Sequence, residues 1–307
     1  MAPRIRLSDA CGDMLSQARQ PIITRYQLLL SIAQVAHRRS YNGASIYALK
    51  EQPTDADYRR VIDQLVADDK LTPDPEFPAS VYIVNNLPVV SASDVCCLAD
   101  PFCYVSHLSA MEHYGLTERI PDALHITRPI PVLWSKMAEQ AVEKARAELG
   151  STLEKLRNVR VRHYAFPDVV RRRPIAVHET KNPGPCIEER GSFTRIAKIE
   201  LVFSGMLTEP NLCGGMPHVL EVWQERARDH LDRIVGTIDQ LQSSIAKVRA
   251  GYILTELLGV SNPVVEGWRR FAQRGGSRLL DPTRPYAPVF SEAWMISLNT
   301  DLPEAAT

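Results

Sequence analysis

The chain has 307 residues, 45% apolar and 23% charged, which suits two domains of ordinary globular composition. Its 36 basic and 36 acidic side chains cancel, so no global field draws it to nucleic acid or to an anionic membrane, and any DNA binding must come from locally placed charge. No stretch is apolar enough for a signal peptide or a membrane span, and the six cysteines show neither a CxxC pair nor a Cys/His ligand spacing, so we expect a cytoplasmic protein with free buried thiols, no metal and no cofactor.

Residues 1–23 read as a lead-in. Tyr26, Leu29, Leu30, Ala33 and Ala36 recur at helical spacing and predict a helix over 25–37. A turn at Tyr41-Asn42-Gly43 precedes a short helix expected near 44–49, which Pro53 stops. Thr54 then caps a third helix, with Asp55 and Asp57 suited to its positive end. Tyr58, Val61, Ile62, Leu65 and Val66 form its buried stripe. Leu71-Thr72 and Val81 to Val84 read as two strands joined by the rigid turn PDPEFP.

Three helices and a two-stranded ribbon, in that order, predict a winged helix-turn-helix over 24–90, with its third helix free to enter a DNA major groove. Arg38, Arg39, Lys50, Arg59 and Arg60 are placed to meet phosphates, with Tyr58 or Gln64 near base edges. Asp74 and Glu76, on the expected wing tip, oppose phosphate and weaken non-specific affinity.

Leu87 to about Asp94 reads as a linker, and 91–307 as a larger mixed domain, giving an α+β fold overall. Helices are expected over 104–114, 216–233, 240–258 and 263–273, and strands over 123–127, 159–166, 175–177 and 294–298, with a further element starting at 194–197. On the 159–166 strand, Arg160, Arg162 and Tyr164 share one face while Val159 and Val161 take the other. With Arg171, Arg172 and Arg173 they make a basic run that is either a solvated face or a contact for nucleic acid or an acidic partner.

Three constellations imitate active sites. Pro167-Asp168 with Glu179-Thr180-Lys181 has the loose spacing of a Mg²⁺-dependent nuclease, but Arg171 to Pro174 interrupts it. His107, Glu112 and His113 are not HExxH and read as hydrogen-bonded structural groups. The segment QRGGSR, 273–278, lacks the GxxxxGK spacing of a phosphate loop, and no GxSxG elbow occurs. Gly275-Gly276 there reads as a sharp turn, with Arg274 and Arg278 clamping it to Asp281 or Glu292, or touching a partner. No enzymatic activity and no small-molecule substrate are expected.

Several blocks, in order, carry a resemblance: YVSHLSA at 104–110, HYGLT at 113–117, HIT at 125–127, GSFTRIA at 191–197, LCGG at 212–215, KVRAGY at 247–252, AQRGGSRLLDP at 272–282 and WMISLN at 294–299. With the N-terminal helices they resemble the AbiEi-type antitoxins, also described as transcriptional regulators of abortive-infection systems. The resemblance implies an antitoxin that opposes a nucleotidyltransferase toxin and represses its own operon by binding an inverted-repeat operator. It does not require a tight hold on the toxin. The alternatives are a regulator that works by protein contact without DNA, and a Mg²⁺-dependent nuclease built on Asp168 and Glu179.

Overall fold

The computed structural model describes residues 3–47, 53–77, 80–154, 159–273 and 278–303. Helices and mixed sheets alternate along the chain, an α+β fold, and gather into two compact units. One comprises residues 1–103, 127–183 and 189–195, the other 104–126, 184–188 and 196–307. A division near residue 90 does not separate them. The core built by the N-terminal helices also takes in Val142, Ala145, Leu149, Leu153 and Val159, and no linker falls at 87–94, where Ser91 caps a helix, Ala92–Ala99.

In the first unit the chain begins with strand β1 (Arg4–Ile5) and helix α1 (Leu7–Ala18). The lead-in is therefore structural: α1 buries Ala10, Cys11 and Leu15. Strand β2 (Ile22–Thr24) runs directly into α2 (Arg25–Arg38). Thr24 opens α2 with a reciprocal cap, its Oγ1 accepting from the Gln27 amide at 3.2 Å while Gln27 Oε1 accepts from the Thr24 amide at 2.9 Å. Arg39 closes α2 in the left-handed region, at φ 54°.

Of the segment expected to form a second short helix, residues 44–46 form a strand instead, and 48–49 lie outside the described residues. β3 (Ser40–Tyr41) and β4 (Ala44–Ile46) make a hairpin over Asn42-Gly43, whose φ values of 47° and 80° suit the tight turn that hairpins prefer. β4 also pairs in parallel with β1. α3 (Asp55–Ala67) follows, then β5 (Leu71–Pro73) and β6 (Val81–Val84), close to the predicted boundaries. β2, β6 and β5 form one antiparallel sheet in that order, with Ile22 opposite Ile83 and Leu71 opposite Val84. Leu28 and Ile32 of α2, and Tyr58, Ile62 and Leu65 of α3, fill the core between these elements.

Helix Pro131–Leu149 belongs to the same unit. Trp134, Ala138, Val142, Ala145 and Leu149 form its buried stripe, and the Tyr26 hydroxyl donates to the Ala141 carbonyl at 3.2 Å. Beyond it, residues 159–166 form no sheet ladder, so the strand expected there is absent. Strand Arg173–Thr180 pairs with Val169–Val170.

The second unit carries strands Cys186–Glu188 and Tyr104–Val105, with Ile196-Ala197 between them and Ile196 pairing with Val105. The helix expected over 104–114 starts only at His107, because Tyr104 and Val105 are spent on this sheet. The long helices expected at 216–233 and 240–258 are shorter pieces, Met216–Arg226, Leu231–Gln240 and Ser244–Tyr252, the last running into a π turn, Ile253–Leu257. That turn brings Thr255 Oγ1 to 2.8 Å from Trp294 Nε1, which donates to it. Pro263–Gly267 is helical and Trp268–Phe271 tightens into a 3₁₀ turn, while the C-terminal strand shrinks to Ile296–Ser297.

Candidate functional site

α3 holds most of the sequence-marked residues. At its start Asp57 accepts from the Thr54 amide at 2.9 Å and from the Thr54 hydroxyl at 2.7 Å, and meets Arg60 at 3.3 Å. The carboxylate thus serves the helix end. Arg59, Arg60, Asp63 and Gln64 share the exposed side, and Gln64 Nε2 donates to Asp68 at 2.8 Å. Tyr58 is misplaced as a base-reading residue: it is 1% exposed, part of the stripe that anchors α3, and burial pushes its hydroxyl up to about 12. Arg38 and Arg39 are exposed at the end of α2. Lys50 and Arg274 lie outside the described residues.

The acidic turn between β5 and β6 behaves differently from its sequence. Asp74 is buried and accepts from the Glu76 and Phe77 amides. The Arg171 guanidinium bridges Asp74 and Glu76, and its amide donates to Glu76 at 2.8 Å. Arg171 therefore offsets one of the two negative charges expected to repel phosphate, and Asp74 is withdrawn from solvent. Arg171 and Arg172 sit at φ 48° and 66°, the tight turn between Val169–Val170 and Arg173–Thr180. Arg172 is exposed and Arg173 half-buried.

A second basic group converges where sequence separation hides it. Arg25, Arg59, Arg160 and Arg162, with Tyr26, Leu29 and Tyr164, line one polar cleft of about 220 Å³. Arg25 starts α2, Arg59 lies on α3, and Arg160 and Arg162 come from the irregular stretch 159–166. Val159 and Val161 turn into the core and so hold the arginines outward, the alternation read from the sequence. The Tyr164 hydroxyl donates to the Ser80 carbonyl at 3.3 Å. Burial raises the Tyr164 hydroxyl's pKa, against the opposing pull of Ser80, Arg162 and Arg25. Among the described residues, none of the four guanidinium groups has a carboxylate partner. Arg25 escapes sequence reading because it falls at i, i+3 and i+7 with Leu28 and Ile32, on the face of the apolar stripe at the first turn of α2.

The nuclease-like pair does not assemble. Asp168 lies opposite Ile175, four strand residues and about 13 Å from Glu179, too far to share one ion. Glu179 accepts instead from Arg128 at 3.0 Å. In the second unit, His107 is hydrogen-bonded to Ser106 at 2.8 Å and to Glu209 at 3.0 Å. Arg278 does not clamp to Asp281. It reaches Ser244 Oγ at 3.5 Å, while Asp281 binds Thr283 and Arg284.

No family model matches the chain, and no curated protein matches it either. Among solved structures it is similar to the crystal structure of RV2827C protein from Mycobacterium tuberculosis, at 12% identity and a TM-score of 0.48, over 94% of this chain and 90% of that one. No helix among the described residues is long and apolar enough to cross a membrane.

Proposed function

We propose that the first unit contains a winged helix-turn-helix that reads duplex DNA, and that the chain is an autorepressing antitoxin of the AbiEi type. The observation that carries the DNA reading is topological. α1, β2, α2, α3, β5 and β6 occur in that order, with the β3–β4 hairpin inserted between α2 and α3, the sheet order is β2-β6-β5, and the third helix buries one stripe and exposes the other. In such a module the third helix enters the major groove. Here it would bring Gln64 to base edges, where a glutamine side chain pairs with adenine, and Arg59 and Arg60 to flanking phosphates. Pairing of Asp74 and Glu76 with Arg171 halves the local negative charge that opposes phosphate. The antitoxin half rests on the resemblance of the ordered sequence blocks. It implies a neighbouring nucleotidyltransferase toxin as partner and no chemistry by this chain.

A reporter fused to the chain's own upstream region tests both halves. Wild-type protein represses it, Arg59→Gln/Gln64→Ala at equal abundance does not, and wild-type protein restores growth to cells expressing the adjacent nucleotidyltransferase. Repression unchanged by the double substitution contradicts the assigned reading helix. Growth arrest that persists contradicts the antitoxin role.

A further inference from the structure

We infer that the cleft of Arg25, Arg59, Arg160 and Arg162 is a phosphate-binding pocket that holds one backbone phosphodiester of duplex DNA. The inference rests on the DNA reading and deepens it, because two of the four cations come from far outside the helical module.

Four arginines around about 220 Å³ form a concentrated positive charge. Like charges gathered without carboxylates repel one another, and a bound anion relieves that repulsion. The lining fits an oxyanion: guanidinium groups present flat arrays of N–H donors that match phosphate geometry. The size admits a phosphate and its flanking sugar edges but not a base pair. Neighbouring buried groups anchor the main chain at three of the four arginines. Arg25 is fixed by the Thr24 cap and by its amide, which donates to the Ser80 carbonyl at 2.7 Å. Arg59 follows the buried Tyr58, and Arg160 lies between Val159 and Val161, which pack against the core. Arg59 also belongs to the exposed side of α3, so a phosphate in the cleft lies beside whatever that helix reads. The pocket would set the register of the helix on the duplex, adding affinity without sequence preference.

Pyrophosphate and DNA together test the proposal on the full chain, with Arg160→Gln/Arg162→Gln as the variant. Both positions are exposed, so the substitutions leave the core intact, and circular dichroism checks this. At matched ionic strength, pyrophosphate should raise the melting temperature of wild-type protein and leave the variant unmoved. Equal response of the two proteins overturns the pocket. With duplexes, the variant should lose about tenfold affinity on the upstream fragment and on random DNA alike, and its salt slope should fall by about 1. A pyrophosphate response with unaltered duplex binding overturns the assignment to DNA backbone. Failure of the DNA reading itself is distinguishable: wild-type protein then binds no duplex, whatever pyrophosphate does.

Discussion

Arg171 shows how a single side chain can reverse the meaning of a local sequence. In PDPEFP the carboxylates stand alone; in the fold, Arg171, almost one hundred residues away, occupies them. Asp74 is fully buried, so removing its cation leaves an uncompensated internal charge. Arg171→Gln should cost about 3 kcal/mol in denaturant titration, and Asp74→Asn in the same chain should recover part of it. An unchanged midpoint contradicts the assignment. Gly251 makes the opposite kind of case. A Cβ there would lie 2.2 Å from the Trp294 ring, and that ring is fixed by its bond to Thr255. Gly251→Ala should destabilise by about 1–3 kcal/mol in the same titration. Neither contact was legible in sequence, because each joins residues that no local period relates.

At the scale of elements, periodicity located α2, α3 and the β5–β6 ribbon well, since each has one face in the core. It failed where pairing outweighs propensity. Residues 44–46 become a strand because β1 and β3 flank them, and Tyr104-Val105 leaves the helix for a sheet. Helix Pro131–Leu149 was legible but unread: Pro131 at its start, Gly150 after its end and apolar residues at helical spacing all announce it. Helix Ala92–Ala99 illustrates an element tied to a distant turn. Asp94 accepts from Ser192 at 2.6 Å, from the Phe193 amide at 2.8 Å and from Thr194 at 3.0 Å. Burial works to raise its pKa, but the bonds from Ser192, Ser91, Phe193 and Thr194 outweigh it and hold the carboxyl below its ordinary value. A depressed carboxyl stabilises the fold above its unfolded pKa, near 4, and that contribution disappears as the pH falls through the folded value. Wild-type protein should therefore exceed Asp94→Asn in stability at neutral pH, with the gap closing below about pH 4. A gap independent of pH would assign the loss to packing alone.

For the whole molecule, composition and pattern yielded the α+β class but not its partition. The units are discontinuous, and the helical module completes its core with 131–159, so no compositional seam marks the boundary. The arginine cleft was invisible for the same reason: its members are separated by up to 137 positions, from Arg25 to Arg162, and only folding collects them. Zero net charge hides this local concentration, which is why the overall balance said nothing about DNA. The central claim is that this balanced protein grips a duplex through locally gathered arginines. Fluorescence anisotropy of a labelled upstream fragment, titrated with the full chain between 50 and 200 mM salt, tests it most directly. The account predicts saturable binding at low salt, with log affinity falling linearly against log salt by about 0.9 for each phosphate neutralised. Absence of saturable binding at 50 mM salt, or an affinity indifferent to salt, would contradict it.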